Sequence, residues 1–381
     1  MKIVVDDKIP YIREKLALLA DEVVYLHGAE ICAADVCDAD ALIVRTRTRC
    51  DRRLLEHSKV KFVATATIGY DHIDTNYMRK NGIFWTNCTG CNAASVAQYL
   101  ECSLLLLQQK KGLDLSEATI GIVGCGHVGS KVKAVSERLG MRVLVSDPPL
   151  EQALSLHPPL STLHSSPSTL HSSDSTLHPS PSTPFVPMNV IEREADVITF
   201  HVPLTREGQH ATYHLGNEAF FRRLSRVPYI INTSRGEVVD NVALLQALGD
   251  GRVRDAILDV WENEPSINLD LLNRVFIGTP HIAGYSADGK VNADNMVIDA
   301  LCQHFSLPHP GRILPPDVAV SSWQLADSQQ PMNALGLYNP LVDSEKLKAD
   351  PSCFEILRNN YPIRREYVTH SDHEVGDGVD G

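Results

Sequence analysis

The chain has 381 residues, 43% of them hydrophobic and 22% charged, with a formal net charge of -12. That length accommodates two or three domains with separate cores, and the acidic balance argues against a general nucleic-acid or anionic-membrane binder. No apolar run approaches the roughly 20 residues that span a bilayer, and Met1-Lys-Ile-Val-Val-Asp-Asp7 has acids where a signal peptide needs an apolar core, so a cytoplasmic chain is expected.

Short β-forming runs open the chain at residues 3–6, 23–26, 41–45, 62–67 and 83–86, with helical patterns from about Pro10 and Asp51 between some of them. The alternation predicts a small parallel α/β unit. Arg45, Arg47 and Arg49 stand at the end of the third run. Residues two apart on an extended segment share a side, so two or three guanidiniums would meet one anion such as a phosphate; the alternative is a solvated basic loop. Cys88-Thr-Gly-Cys91 is a C-x-x-C match without a second pair at metal spacing. Two reduced thiols are expected there, rather than a zinc site or a redox pair. The nine cysteines are scattered and odd in number, which argues against a disulfide framework. Residues 92–111 read as a long helix closed by Gly112, placed to cross between domains.

The most informative stretch follows: Thr119-Ile-Gly-Ile-Val-Gly-Cys-Gly-His-Val-Gly129. A β-forming run leads into a G-x-G-x-x-G loop, then a helical pattern to Leu139, then a second strand over 141–146 that ends at Asp147, 18 residues past the last glycine. Gly124 permits the tight turn, Gly126 lets the backbone approach a pyrophosphate, and Gly129 lets helix and strand pack closely. The helix N-terminus offers free N–H groups to the phosphates. A carboxylate at Asp147 accepts from ribose hydroxyls and repels a 2′-phosphate, so NAD is expected over NADP.

Between residues 155 and 184 the composition changes. Ser-Thr-Leu-His recurs at Ser161, Ser168 and Ser175, and prolines at 158, 159, 167, 179, 181 and 184 forbid a continuous helix. His157, His164, His171 and His178 offer metal-binding groups in principle, but low complexity is the stronger reading, and no metal site is expected. A disordered surface insertion is predicted. Further strands are expected at 197–202, 229–233, 256–260 and 275–279, separated by helices near 217–224, 241–248 and 269–273, as a doubly wound sheet requires. A helix should run from about 286 to 304, and residues 306–381 read as a third, smaller module, partly helical over 343–367.

Three segments stand at strand ends, on the side of the sheet where ligands bind. They are Ile231-Asn-Thr-Ser-Arg-Gly236, Leu258-Asp-Val-Trp-Glu-Asn-Glu-Pro265 and Gly278-Thr-Pro-His-Ile-Ala-Gly-Tyr285. Oxidising a secondary alcohol needs a base for the hydroxyl proton and a cation for the substrate carboxylate, with a carboxylate behind the base to stabilise its protonated form. His281, Arg235 and Glu264 offer these groups. Singly, each reads equally well as a strand-end histidine, a surface cation or a turn residue.

Together with the glycine loop, these segments resemble the D-isomer-specific 2-hydroxyacid dehydrogenases over about residues 1–305, interrupted only by the insertion. The resemblance implies a doubly wound Rossmann NAD domain (92–281) inserted in a smaller flavodoxin-like α/β substrate domain (1–91 with 282–305), plus a small α+β dimerisation domain (306–381) and a homodimer. It implies Arg235, Glu264 and His281 as catalytic residues. The cofactor contacts it implies are Asp147, Val202, Thr233, Ser234, Asp259 and Gly284; the loop residues Gly124, Gly126, His127, Val128 and Gly129, with Arg235, complete the expected set. Four stretches, beginning at Val5, Ala64, His281 and Phe354, are similar to the branch of the family that oxidises a phosphorylated four-carbon hydroxy acid for pyridoxal 5′-phosphate biosynthesis. That match implies Thr46, Thr67 and Tyr285 as substrate contacts, and Arg45 joins them on the anion reading of the arginine cluster. The insertion departs from the family pattern. A dehydrogenase acting on phosphoglycerate would use the same trio, and a non-enzymatic NAD-sensing protein on this scaffold is the alternative of another class.

Overall fold

The computed structural model describes residues 1–156, 185–316 and 332–366. The expected insertion over 155–184 therefore lies, after its first two residues, outside the described residues. The chain divides into two compact units: Met1–Ser95 with Gly284–Ser321 and Ile363–Gly381, and Val96–Ala283 with Ser322–Pro362.

The first unit holds a five-stranded sheet of β1 (Lys2–Asp6), β2 (Glu22–Leu26), β3 (Ala41–Val44), β4 (Phe62–Thr65) and β5 (Phe84–Asn87). All pairs are parallel, in the order β2-β1-β3-β4-β5. β3 and β4 are buried along their whole length because helices cover both faces, so they read as continuous apolar runs rather than alternating ones. Successive residues still part to opposite sides. Ile3, Val5 and Ile43 pack with Leu16 and with Val297 and Leu301 of the helix Ala287–Phe305, while Val4, Leu42 and Val44 pack with Val36, Leu54 and Met78. This is the flavodoxin-like order, whose direction reverses between β1 and β3, and ligands of such sheets bind at the carboxyl ends of the strands beside that reversal. Asp6 ends β1 and Arg45 follows β3, so both stand at that point.

β3 stops at Val44, sooner than the sequence pattern indicates, and the chain turns at Thr46 and Arg47. The two-residue period on which three arginines would share a side therefore does not apply. Arg45 Nε reaches Asp6 Oδ2 at 3.2 Å, whereas Arg49 Nε pairs with Asp51 at 3.0 Å, and Asp51 also caps the next helix through Arg53 N–H.

In the second unit β6 (Thr119–Val123), β7 (Arg142–Ser146), β8 (Val197–Phe200), β9 (Tyr229–Asn232), β10 (Asp255–Leu258) and β11 (Ile277–Gly278) form a parallel sheet ordered β11-β10-β9-β8-β6-β7. Outside β7, Phe185 makes a single parallel bridge to Val145. Counted as a strand reduced to one residue, it makes the order 3-2-1-4-5-6-7, the doubly wound 3-2-1-4-5-6 arrangement with β11 added at its edge and the direction reversing between β6 and β8. Ile198, Phe200, Ile230 and Leu258 are fully buried with Phe220, Leu244 and Trp261.

A module of its own was expected over 306–381; the described residues of that range fall in both units. Leu347 and Phe354, from the helices Pro340–Ala349 and Phe354–Asn359, join the core of the second unit. Ser344 Oγ accepts from Gly278 N–H, and Lys348 Nζ donates to the Val275 carbonyl, so the edge strand β11 is covered rather than exposed. Residues 364–366 belong to the first unit, where Arg364 bridges to Ser286 and Arg365 pairs with Asp288 at 2.9 Å. Among the described residues of 306–381, that bridge is the only β pairing, because the packing that orders this stretch is helical.

Candidate active site

The second unit builds its polar centre from three strand-end loops. β9 ends at Asn232, which is fully buried; its Oδ1 accepts from both Ser234 N–H and Ser234 Oγ, and its Nδ2 donates to the Arg235 carbonyl. One amide side chain thus folds the turn 233–235. A Cβ at Gly236 would overlap the Trp261 carbonyl, so only glycine lets this turn lie directly against the loop after β10. Arg235 Nη1 donates to the Ser234 carbonyl at 2.8 Å, and its other guanidinium nitrogens have no partner among the described residues.

Trp261 is buried and donates from Nε1 to the Thr279 carbonyl at 2.9 Å, tying the loop after β10 to the loop after β11. Asp259, 1% exposed, holds the second loop by its backbone. Its Oδ1 accepts from Thr279 Oγ1 and Ile282 N–H, its Oδ2 accepts from Ala283 N–H, and its carbonyl accepts from His281 N–H. Asp259, expected as a cofactor contact, has both carboxylate oxygens engaged in fixing the backbone that carries the histidine. His281 itself takes a left-handed conformation, φ 58°, which non-glycine residues rarely adopt outside constrained sites.

His281 Nδ1 meets Glu264 Oε2 at 2.8 Å, while Nε2 has no partner among the described residues. Glu264 Oε1 accepts from Trp261 N–H at 2.9 Å. Burial pushes the Glu264 carboxyl up, but the His281 ring, the Trp261 N–H and Arg358 outweigh it and hold the acid below its ordinary value. Arg358 stands on the helix Phe354–Asn359 with Nη1 3.8 Å from Glu264 Oε2. Nothing local in the sequence reveals this contact, which joins residues 94 positions apart. The loop is braced further by His214, whose Nε2 meets Glu262 Oε1 at 2.7 Å and whose Nδ1 lies 3.5 Å from Asp240. Because each ring nitrogen faces a different carboxylate, this group reads as a hydrogen-bonded clasp.

The glycine loop bears its own geometric signature. Gly124 has φ 90°, and a Cβ there would come within 2.6 Å of the His201 carbonyl and 2.7 Å of Val202 Cγ1, so the loops after β6 and β8 touch at the point of reversal. A Cβ at Gly129 would overlap the Gly124 carbonyl. Gly126 is different: nothing lies within 4 Å of its added Cβ. That open face fronts the helix His127–Arg138, which starts at Gly126 without a side-chain cap, leaving exposed His127 and half-buried Val128 beside uncapped N–H groups. A pyrophosphate fits this opening. Asp147 Oδ2 accepts from Cys125 N–H at 2.8 Å and Oδ1 from Leu150 N–H at 3.0 Å, which fixes the carboxylate and leaves each oxygen a lone pair for a ribose hydroxyl. Burial and then Asp147 push the Cys125 thiol up to about 11, so it stays protonated and weakly reactive. His201, missed from sequence, sits between Thr199 Oγ1 at 2.9 Å and Thr233 Oγ1 at 3.5 Å; enclosure pushes it down to about 3, a neutral ring holding the loop after β8 to Thr233.

The remaining sequence candidates belong to the first unit: Arg45, Thr46, Thr67, Gly284 and Tyr285. Thr67 Oγ1 pairs with Thr65 Oγ1 at 2.8 Å, and Thr46 is exposed in its turn. A Cβ at Gly284 would overlap the Asn92 side chain, so that position is constrained by close packing. Cys88 and Cys91 are also here. Both are buried, Cys88 Sγ donates to the Thr65 and Ala293 carbonyls, and burial pushes Cys91 up to about 12, as two inert thiols require.

Residues 105–185 and 171–283 match the family model of the D-isomer specific 2-hydroxyacid dehydrogenase, NAD binding domain. The chain belongs to the D-isomer-specific 2-hydroxyacid dehydrogenase family, and its second unit carries that family's NAD-binding Rossmann domain. It is 50% identical over 366 residues to an erythronate-4-phosphate dehydrogenase of Bacteroides fragilis, across 96% of this chain and 97% of the relative. It is 38% identical over 372 residues to the enzyme of that name from Porphyromonas gingivalis, across 96% and 94%. The NAD+-bound 3-phosphoglycerate dehydrogenase of Entamoeba histolytica superposes with a TM-score of 0.61 at 27% identity, over 80% of this chain and 95% of that one. A D-lactate dehydrogenase of Aquifex aeolicus, complexed with NAD and lactic acid, shares the fold at TM-score 0.61 and 24% identity, over 80% and 96%.

Proposed function

We propose that this chain oxidises 4-phospho-D-erythronate to 2-oxo-3-hydroxy-4-phosphobutanoate with NAD, a step toward pyridoxal 5′-phosphate. One observation carries the mechanism: His281 Nδ1 is engaged by Glu264 Oε2 at 2.8 Å while Nε2 is left without a partner. That is the disposition of a base whose rear nitrogen is fixed and whose front nitrogen is available. Arg235, with most of its fork unpaired, would hold the substrate carboxylate and polarise the neighbouring oxygen. His281 Nε2 would take the hydroxyl proton, and Glu264, kept ionised by its surroundings, would stabilise the resulting imidazolium. Bound NAD supplies the hydride acceptor, and Gly126, the uncapped helix start and Asp147 would hold it. The relatives' name and their near-complete coverage support this substrate over phosphoglycerate, for which the same trio would serve.

The same reading makes Thr46, Thr67 and Tyr285 substrate contacts. It also makes the chain a cytoplasmic homodimer assembled through part of its C-terminal region, which sedimentation would check. The test of the activity is NADH formation with a panel of 4-phospho-D-erythronate, 3-phosphoglycerate and D-lactate. A clear preference for the first supports the proposal, and a preference for either of the others replaces it.

A further inference from the structure

Lys290 stands on the first turn of the helix Ala287–Phe305 in the first unit, half-buried, with Nζ 5.1 Å from the centre of the Tyr285 ring. Its ammonium makes no hydrogen bond or ion pair among the described residues. Burial, and then the charge of Arg45, hold it below the usual lysine range, with Asp294 opposing them only in part. Asp294, one turn further along, is a poor counter-ion. Burial pushes it up to about 7, one oxygen accepts from Tyr11 N–H at 3.0 Å, and the other is buried without a partner. Asp288 faces Arg365 instead, at 2.9 Å.

Arg45 is also incompletely satisfied. Its Nε meets the fully buried Asp6 Oδ2 at 3.2 Å, and its terminal nitrogens have no partner among the described residues. Asp6 gives its other oxygen to Lys8 N–H at 2.9 Å. Two half-buried cations therefore stand with one committed carboxylate beside Arg45 and one about half protonated at neutral pH a turn from Lys290. Such an arrangement costs stability unless an anion completes it. Asp6 ends β1, Arg45 follows β3, and Tyr11 in the loop after β1 donates to Asp294, which brings the helix of Lys290 to the carboxyl end of β1, beside the reversal in strand order.

We propose that Lys290 and Arg45 form the phosphate subsite of the first unit, with Lys290 as a specificity-determining residue that takes a phosphate monoester dianion. A planar fork and a compact ammonium together suit a dianion better than a carboxylate, which one arginine satisfies alone. The identity of the monoester rests on the proposed function; binding of phosphate does not.

The experiment is a calorimetric titration of the full chain with inorganic phosphate, with NAD saturating so that the glycine loop is occupied. Saturable binding is expected, weakened about 10- to 100-fold in Lys290→Met and largely retained in Lys290→Arg, from the loss of one charge-assisted contact. Lys290→Met without phosphate should unfold at the same temperature as the parent chain or higher, since it removes a half-buried unpaired charge. In turnover, the preference for 4-phospho-D-erythronate over D-erythronate should fall by a similar factor. No phosphate binding by the parent chain, or binding unaltered by Lys290→Met, overturns the subsite. Lys290-dependent phosphate binding in a chain that does not reduce NAD with 4-phospho-D-erythronate sinks the functional reading and leaves the subsite standing. Turnover with an unaltered phosphate preference in Lys290→Met does the reverse.

Discussion

The two units treat their charged side chains in opposite ways. In the second, the candidate catalytic groups are held by the protein: His281 by Glu264 and by its own backbone, Glu264 by Trp261 and Arg358, Asp259 by three donors. In the first, Arg45 is tethered only through Nε, and Lys290 has no polar partner among the described residues. Groups that must act on a proton at one position gain from being fixed before the ligand arrives, because reorganisation at the moment of reaction is avoided. Groups that recognise a ligand's charge gain from being left unsatisfied, because the ligand then supplies the missing partner. Folding therefore stabilises the second unit's site and is opposed by the first unit's.

The largest effect should come from removing the best-held group. His281→Ala should lower kcat by about 100- to 10,000-fold while NAD affinity, measured by fluorescence, stays near that of the parent, since the glycine loop is untouched. Glu264→Gln should lower kcat by a smaller factor, about 10- to 100-fold, and move the acidic limb of the pH–rate profile to lower pH. The sign follows from charge: Glu264 is held below the ordinary carboxylate range, so it is ionised throughout the assay range and favours the protonated imidazole. An amide withdraws that support. An unmoved limb would mean that Glu264 only shapes the loop.

Asp147→Ser should reduce NAD affinity about tenfold and narrow the preference over NADP, as the ribose loses an acceptor and a 2′-phosphate loses its repeller. Equal use of NADP by the parent chain would contradict that assignment at once. The smallest effect concerns stability in the first unit. Burial pushes Asp294 up from an ordinary 3.8 to about 7, so folding prefers its protonated form. Its contribution worsens as pH rises from about 4 to about 7 and is flat above. Asp294→Asn should therefore raise the melting temperature at pH 8 by an amount worth about 1 kcal/mol, and by little at pH 4. A constant difference across that range would show that packing, not ionisation, is responsible.

Much of this organisation is legible in the sequence, because local signals carry it. The glycine loop, the strand before it and the acid after it are contiguous, and the buried parallel strands read as uninterrupted apolar runs. Arg235, Glu264 and His281 are found because each stands at a strand end beside residues of a recognisable pattern. What escapes is long-range. Asn232 looks like the end of a strand until its side chain is seen folding the next turn, and Trp261 looks like core until its indole bridges two loops. Arg358 lies far along the chain from Glu264, so no spacing announces it. The three-arginine reading fails for a local reason: a turn after Val44 replaces the extended geometry that would align them. Lys290 is hidden by its helix, where it reads as an ordinary solvated lysine until its burial and its neighbours are known.

A His281–Glu264 pair is proposed to drive oxidation of a phosphorylated hydroxy acid by NAD. Its most direct test is NADH formation from 4-phospho-D-erythronate at saturating NAD, recorded across pH for the parent chain and for His281→Ala. Turnover by the parent should rise through an acidic limb, and turnover by the variant should be nearly lost and no longer show that limb. A variant with near-normal turnover, or a parent that forms no NADH from this substrate, would contradict it.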